Sequence, residues 1–344
     1  MKNWLRTEEN SNNIVLSSRI RLARNIDKIP FPDRLSAENG KEVVNRVEKA
    51  FYTSAHTSEA YKSKYLWENE DNINRSYFEK HLISAKLLDN HEKSAFILDK
   101  DETVSIMINE EDHLRLQCIN AGFSLEEAYE MAEKLDNLLE ESLDYAFNEK
   151  LGYLAACPTN IGTGLRASVM IHLPALSINN EMDSMLNAVT QVGMTIRGLF
   201  GEGSKSEGNL YQVSNQITLG LTEEEILNNL KAVVSQIITK EQWSRDQFVK
   251  SYKYELEDKI YRALGILKSA VLLNSKEALN LISNVRMGIE MGIIKDVSNE
   301  TLNSLLVEIQ PATLQLITSS KLSEKDRDIN RAKLIRNRLG TICN

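Results

Sequence analysis

Along this chain, hydrophobic and polar positions first alternate, then recur at helical spacing, and finally settle into long helical periodicity. Ile14-Val15-Leu16 opens a strand that continues through Ser17, Ser18, Arg19, Ile20, Arg21, Leu22, Ala23 and Arg24. Pro30 and Pro32 break the chain after it. Val43, Val44, Val47, Ala50 and Phe51 recur at helical spacing and predict a helix from Ser36 to Ser54. Residues 60–80 are polar and mixed. Ser94–Leu98 and Thr103–Asn109 read as strands, and Asp99-Lys-Asp-Glu102 is the turn that makes them a hairpin. Ser124-Leu-Glu-Glu127 has the form of a capping box. The helix after it, to about Asn148, puts Ala128, Ala132, Leu135, Leu139, Leu143 and Ala146 on one buried face. Met182 to about Phe200 reads as a helix, Tyr211–Leu219 as a half-buried strand, and Thr222-Glu-Glu-Glu225 as a second capping box. From about Glu224 onward the strand signal disappears. The pattern predicts an α+β part followed by an all-helical domain beginning near residue 240.

Composition narrows the class. The chain has 344 residues, of which 42% are hydrophobic and 26% charged, enough for two domains and a substantial core. A net charge of -8 argues against general nucleic-acid binding, while 41 basic residues leave room for local basic sites. The three cysteines, Cys118, Cys157 and Cys343, form no CxxC, so a disulfide framework or zinc site is not expected and a reducing cytoplasm fits. The N-terminus has no apolar signal region, and no apolar run approaches membrane-spanning length. A soluble, cytoplasmic protein with no membrane partner is expected.

Three polar stretches carry candidate chemistry. Arg19 and Arg21 are two apart, so they share one face of a strand. Like charges there repel unless an anion lies between them; the alternative is a solvated face. Asn109-Glu-Glu-Asp-His-Leu-Arg115 packs three acids beside a strand arginine. Such acids are either a solvated run or a proton-accepting site. The third stretch is Cys157-Pro-Thr-Asn-Ile-Gly-Thr-Gly-Leu-Arg-Ala-Ser-Val169, a polar loop between apolar segments. Its glycines permit close backbone approach to a ligand, and its hydroxyls and arginine suit phosphate. Packing offers a plain alternative, a Gly-rich turn with a buried thiol. No Gly-Lys-Ser/Thr follows, so this is not a Walker A loop.

These stretches resemble a family. Cys157-Pro-Thr-Asn-Ile-Gly-Thr-Gly164 looks like the signature of the ATP:guanidino phosphotransferases, the creatine and arginine kinases. Ser18-Arg-Ile-Arg21, Asn109–Arg115, Arg166-Ala-Ser-Val169 and Arg197-Gly-x-x-Gly-Glu202 match further family blocks in the same order, over roughly residues 14 to 220. The first arginine block begins at Ser17, which leaves no room for the small helical domain that precedes the catalytic part in phosphagen kinases. A helical region instead follows it. That arrangement resembles the bacterial protein-arginine kinases, as does Arg327-Asp-Ile-Asn-Arg-Ala332, which is similar to their RDxxRA motif.

The resemblance implies an antiparallel sheet flanked by helices, glutamine-synthetase-like, over residues 1–240. It implies a helical dimerisation and phosphoarginine-binding domain over 241–344. It implies an enzyme that transfers the ATP γ-phosphoryl group to protein arginines, with Mg²⁺ held mainly through the nucleotide phosphates. Ser17, Ser18, Arg19, Ile20, Arg21, His81, Arg115, Arg166, Ala167, Ser168, Val169, Met170, Arg197, Gly198, Leu199, Phe200, Gly201 and Glu202 would bind ATP. Glu111 would accept the proton of the guanidinium, with Glu110 and Asp112 in support. Cys157, as a thiolate, would orient the substrate, and Glu202 would also be catalytic. Arg327, Asp328, Arg331 and Ala332 would form an allosteric phosphoarginine pocket. Expected partners are protein substrates with exposed arginines, an activating zinc-binding adaptor, a heat-shock repressor and the Clp chaperone-protease, in stress response and protein quality control. One departure stands out. Phosphagen kinases carry a substrate-clamping glutamate three residues after the Gly-Glu of the lid loop, and here Lys205 occupies that place, with Glu202 and Glu207 nearby. A phosphagen kinase for free arginine and a weakly active phosphoarginine reader are the alternatives.

Overall fold

A computed structural model describes residues 4–6, 14–198 and 207–340. In chain order the elements are β1 (Val15–Arg24), α1 (Ala37–Phe51), α2 (Ala55–Ala60), β2 (Tyr61–Tyr65), α3 (Asp71–Glu79), α4 (Ala85–Asp89), β3 (Ala95–Asp99), β4 (Val104–Ile108), β5 (Leu114–Ala121) and α5 (Leu125–Glu140). They continue with β6 (Phe147–Asn148), β7 (Gly152–Tyr153), β8 (Leu165–His172), α6 (Pro174–Ile178), α7 (Met182–Gln191), β9 (Met194–Gly198) and β10 (Leu210–Asn215). Helices follow: α8 (Glu223–Ser251), α9 (Lys253–Ser269), α10 (Ser275–Glu290), α11 (Asn299–Glu308), α12 (Pro311–Ile317) and α13 (Glu324–Leu339). The chain divides into two compact units. One comprises Met1–Trp4, Ser17–Val169 and Ser214–Lys231, and the other Leu5–Leu16, Met170–Val213 and Ala232–Asn344.

In the first unit the strand order is β2-β3-β4-β5-β1-β8. The β2–β3, β3–β4, β4–β5 and β5–β1 pairs are antiparallel. Helices α1 and α5 pack on each other and against β4 and β5. They bury Val43, Val44, Val47 and Phe51 from α1, and Leu125, Ala128, Ala132 and Leu139 from α5. Each of the valine, leucine and phenylalanine side chains contributes about 1.5–3 kcal/mol relative to exposure. The opposite face is apolar over β3 and β4, where Phe96, Leu98 and Met107 meet Leu66, Leu82, Ile83 and Leu87. Over β5, β1 and β8 that same face is charged, and the candidate chemistry lies there.

In the second unit the end of β8 runs beside β10, followed by β9. Helix α9 packs on α10 and α13, and α11 on α10, α12 and α13. Among the described residues, no helix is long and apolar enough to cross a membrane.

The structure corrects several sequence expectations. The helix expected from Met182 to Phe200 stops at Gln191. Gly193 turns the chain with φ 73°, and Met194–Gly198 is strand. The mixed stretch 60–80 holds β2 and α3. The helix after Ser124 ends at Glu140 rather than near Asn148, and its capping box does not form. The Ser124 hydroxyl donates to the Ala121 carbonyl, and its N–H donates to Ser18 Oγ. A tertiary contact has claimed the N–H and a local one the hydroxyl that would have closed the box. The second box does form: Thr222 N donates to Glu225, and Glu225 N donates to Thr222 Oγ1.

Candidate active site

Strand register assembles the basic cluster. Arg21 pairs with Gln117, Ala23 with Arg115 and Arg19 with Ile119. Directly paired residues share a face, so Arg19, Arg21, Arg115 and Gln117 project together. Arg19 Nε donates to Ser168 Oγ at 3.4 Å, which brings Ser168 and, two residues before it, Arg166 onto the same face. Burial, then Arg115 and Arg166, push the Arg19 guanidinium down to about 9. Arg21 is pushed well down by burial, Arg19, Arg115 and Arg166, with Glu110 opposing. Arg21 Nε is buried and has no hydrogen-bond partner among the described residues. This is concentrated positive charge suited to a polyphosphate.

Ser18, Ile20, Ala167 and Val169 point the other way and are buried, so they can meet a nucleotide only through backbone. Ser18 Oγ donates to the Gly122 carbonyl. Ser17 shares the parity of Arg19 and is buried. Met170, Arg197 and Gly198 belong to the second unit. Leu199, Phe200, Gly201, Glu202 and Lys205 lie outside the described residues, as does Cys343.

The three acids have separate environments. Although burial raises it, Glu110 is held below its usual range by Arg115, by Ser84 and by the Glu111 N–H. Its Oε1 meets Arg115 Nη1 at 2.5 Å and Ser84 Oγ at 2.5 Å. Glu111 is half-buried, and its carboxylate accepts no hydrogen bond among the described residues. Burial, then repulsion from Glu110 and Asp112, raises its pKa. Asp112 is buried and also raised, chiefly by burial. Its Oδ1 accepts from Asn25 Nδ2 at 2.6 Å and from the Ala156 N–H at 2.7 Å. Among the described residues Glu111 is therefore the acid of this loop whose carboxylate accepts no hydrogen bond, while Asp112 ties the loop to the residue before Cys157.

That tie is part of a larger clamp. Asn25 Nδ2 also donates to the Leu154 carbonyl, and Asn25 Oδ1 accepts from the His113 N–H. His113 is fully buried. Its Nδ1 accepts from the Ile26 N–H, which leaves Nε2 to donate to the Pro30 carbonyl. Cys157 is half-buried, opens a 3-10 turn over Pro158–Asn160, and places Sγ 3.1 Å from Thr159 Oγ1.

The glycines of the loop serve packing rather than ligand approach. Gly162 has φ 111°, and a Cβ there would lie 2.5 Å from the Thr218 carbonyl oxygen. Gly164 has φ 65°, with Ala23 O at 2.6 Å and Arg24 Nη1 at 2.7 Å from such a Cβ. Thr218 Oγ1 donates to the Thr159 and Ile161 carbonyls. Arg24 donates to Asp136 through Nε and Nη2, and to Ala23 O and Thr163 O through Nη1. Its guanidinium also lies 3.5 Å from the centroid of the Tyr153 ring. Sequence reading missed Arg24, Asn25, Asp136 and Thr218 as supports of the site. Only Arg24 left a signal, its parity opposite to Arg19 and Arg21.

His81 is half-buried with φ 62°, and Gln117 Nε2 donates to its carbonyl at 2.9 Å. Burial, then Arg19, pushes its imidazole down to about 3, so it is neutral. Among the described residues, no group of three or more His, Cys, Asp or Glu side chains could hold a metal ion.

In the second unit, Arg331 is 2% exposed. It donates to Ile309 O and Leu273 O, and meets Asp328 Oδ1 at 2.5 Å. Ala332 is buried beside it, whereas Arg327 is half-buried and donates to Leu322 O at 3.5 Å. A further buried ionic cluster joins His172, Glu241, Arg245, Arg286 and Glu290, and Glu241 also accepts from the Ala175 and Leu176 N–H groups. No motif announced it.

Comparison with known proteins agrees with this layout. Residues 42–244 match the ATP:guanido phosphotransferase C-terminal catalytic domain, and residues 253–344 match the protein-arginine kinase McsB C-terminal domain. A protein-arginine kinase of Clostridium kluyveri is 65% identical over 340 residues, covering 98% of this chain and 99% of that one. One from Clostridium acetobutylicum is 60% identical over 339 residues, covering 98% of this chain and 100% of that one. Among solved structures, lombricine kinase is 26% identical with a TM-score of 0.58, over 67% of each chain. The duplicated taurocyamine kinase of Schistosoma mansoni, 24% identical with a TM-score of 0.61 over 76% of this chain and 39% of that one, shares the fold. The chain belongs to the ATP:guanido phosphotransferase family and, within it, to the protein-arginine kinases.

Proposed function

We infer that this chain transfers the γ-phosphoryl group of ATP to arginine side chains of proteins. One observation carries the reading: Arg19, Arg21, Arg115 and Arg166 converge on one sheet face beside Glu111, a carboxylate with a raised pKa. The two halves of that arrangement suit the two halves of the reaction. A guanidinium nitrogen attacks the γ-phosphorus while the bond to the β–γ bridging oxygen breaks. Charge gathers on the phosphoryl oxygens, and the arginines stabilise it. The attacking guanidinium must lose a proton, and Glu111 accepts it. Glu110, locked to Arg115 and Ser84, fixes the basic cluster. Asp112 holds the Cys157 loop in register, and Cys157 orients the guanidinium. Mg²⁺ bound through the nucleotide phosphates would supply further charge neutralisation.

The remaining ATP contacts are Ser17, Ser18, Ile20, His81, Ala167, Ser168, Val169, Met170, Arg197 and Gly198, with Leu199, Phe200, Gly201 and Glu202 following them in sequence. Residues 1–240 act as the catalytic domain, and 241–344 serve dimerisation and phosphoarginine binding. Arg327, Asp328, Arg331 and Ala332 form the allosteric pocket. Arg331 stiffens it from beneath, while the half-buried Arg327 and Asp328 meet the ligand. The setting is the cytoplasm and the stress response, with a zinc-binding activator, a heat-shock repressor and the Clp system as partners. The test is incubation with Mg-ATP and either an unfolded protein or free arginine, with acid-labile phosphoarginine read by mass spectrometry. Phosphoarginine on the protein is the expected result. Transfer to free arginine alone would make the chain a phosphagen kinase, and transfer to neither would overturn the reading.

A further inference from the structure

We propose that Trp4 is a positioning residue for the nucleotide end of the site, acting through His81. The proposal rests on the reading of His81 as an ATP contact. Trp4 is 3% exposed. Its indole N–H donates to the Lys80 carbonyl at 3.3 Å, across 76 residues of sequence. Its ring meets the His81 imidazole edge to face, with centroids 5.7 Å apart and an interplanar angle of 62°. The N-terminal segment therefore grips both the backbone before His81 and the side chain of His81.

That grip has something to hold. His81 sits in the left-handed region, φ 62°, where a residue with a Cβ is disfavoured and must be kept by its surroundings. Gln117 holds one side by donating to the carbonyls of His81 and Leu82 at 2.9 and 3.2 Å. Trp4 holds the other through Lys80. A neutral imidazole close to Arg19 carries a single ring N–H. Its value to a phosphate or ribose oxygen depends on where that N–H points, and the edge-to-face contact with Trp4 limits the imidazole's rotation. No stretch of sequence around residue 4 signals this, because the partner is fixed by the fold and not by spacing.

The experiment compares W4A, W4F and H81A, singly and as the W4A/H81A pair, in the full chain. Initial rates are measured against ATP and against a protein substrate. W4A should raise the KM for ATP about 3–10-fold, in keeping with loss of one aromatic pair. Its kcat at saturating ATP and its KM for protein should stay within about twofold. W4F, which retains a ring edge, should recover most of the loss. In the H81A background W4A should add nothing. An unchanged KM for ATP in W4A would overturn the proposal, as would an equal rise with and without His81. If H81A alone leaves the KM for ATP unchanged, the reading of His81 fails, and any W4A effect then runs by another route and also overturns the proposal. A second measurement does not depend on turnover. With Trp67 and Trp243 replaced by phenylalanine, Trp4 is the sole tryptophan, and its emission should shift on Mg-ATP binding at the midpoint found by calorimetry. Binding without a shift would argue against contact through His81.

Discussion

Arg24 offers the sharpest test of how the loop around Cys157 is held. Its side chain is 4% exposed and that of Asp136 is 8% exposed. Two guanidinium nitrogens meet one carboxylate oxygen at 3.0 and 2.6 Å, and a third donates at 2.9 Å to each of the Ala23 and Thr163 carbonyls. Replacing Arg24 with methionine keeps much of the volume but strands a buried carboxylate. Breaking a buried pair in this way costs about 3–5 kcal/mol. The two carbonyls add to that, though not additively, because water can enter once the cation has gone. Against a total stability of about 5–15 kcal/mol, such a loss is large. Replacing both partners, R24M with D136L, removes the stranded charge and should return at least half of it. Urea unfolding followed by circular dichroism measures both variants. The single variant should also lose phosphoryl transfer, because Thr163 and Gly164 lose the group they close upon. An R24M protein within about 1 kcal/mol of the parent would refute the argument, as would a double variant no more stable than R24M.

Other outcomes follow from the same geometry. Glu111→Gln should fold normally and lower kcat by about 10²–10⁴, the usual worth of a positioned base; a smaller loss in steady-state rates would remove Glu111 from that role. Asp112→Ala frees the Ala156 N–H and should lower kcat more than Asp112→Asn, which keeps an acceptor oxygen. Equal rates for the two would mean that the hydrogen bond to Ala156 positions nothing. Acid should loosen the clamp at His113, whose pKa is pushed down to about 4, chiefly by burial. Above pH ~6.5 the imidazole is neutral folded or unfolded; below it only the unfolded chain takes the proton, so stability falls as pH drops from ~6.5 toward ~4. Between pH 6.5 and 5 that share reaches about 2 kcal/mol, and H113Q should flatten the measured dependence by about that much. Parallel curves for the two proteins would count against the assignment.

How much of this could be read from the sequence depends on whether the cause was local. Strand parity separates Arg19 and Arg21 from Arg24 before any coordinates are known, and the structure puts them on opposite faces. The acidic loop and the Cys157 loop could be recognised as chemistry, and the family resemblance singled out Glu111, but spacing alone could not say which acid was free. Glu110 and Glu111 differ only in what Arg115 and Ser84 reach, and no spacing encodes that. The helix expected through Phe200 failed on a local signal that was read too weakly. Met185, Val189 and Val192 keep helical spacing, yet Gly193 ends the helix and Met194, Ile196 and Gly198 alternate as a strand. The missing box at Ser124 failed for a non-local reason, since Ser18 reached it first. The glycines of the loop were legible as glycines, but their purpose was not, because Thr218 and Arg24 supply the crowding from distant positions.

The arginines of this chain divide by what meets them. Arg24 has Asp136 and two carbonyls, Arg331 has Asp328 and two carbonyls, Arg245 has Glu241 and Glu290, and Arg286 has Glu290 and Asn303. Each of these cations is buried with its charge or its donors answered, so each holds backbone in place. Arg19 is different: among the described residues, the charged groups that shift it, Arg115 and Arg166, are both arginines. Arg21 is opposed by three arginines and eased by one carboxylate, which already faces Arg115. Gathering like charge away from water works against folding unless an anion completes it. The sheet carries that cost on one face and at one end, beside Glu111, the acid of its loop that accepts no hydrogen bond among the described residues. Such an arrangement weakens the isolated fold and would strengthen its hold on a polyanion, as expected where charge is placed for a transition state rather than for the native state.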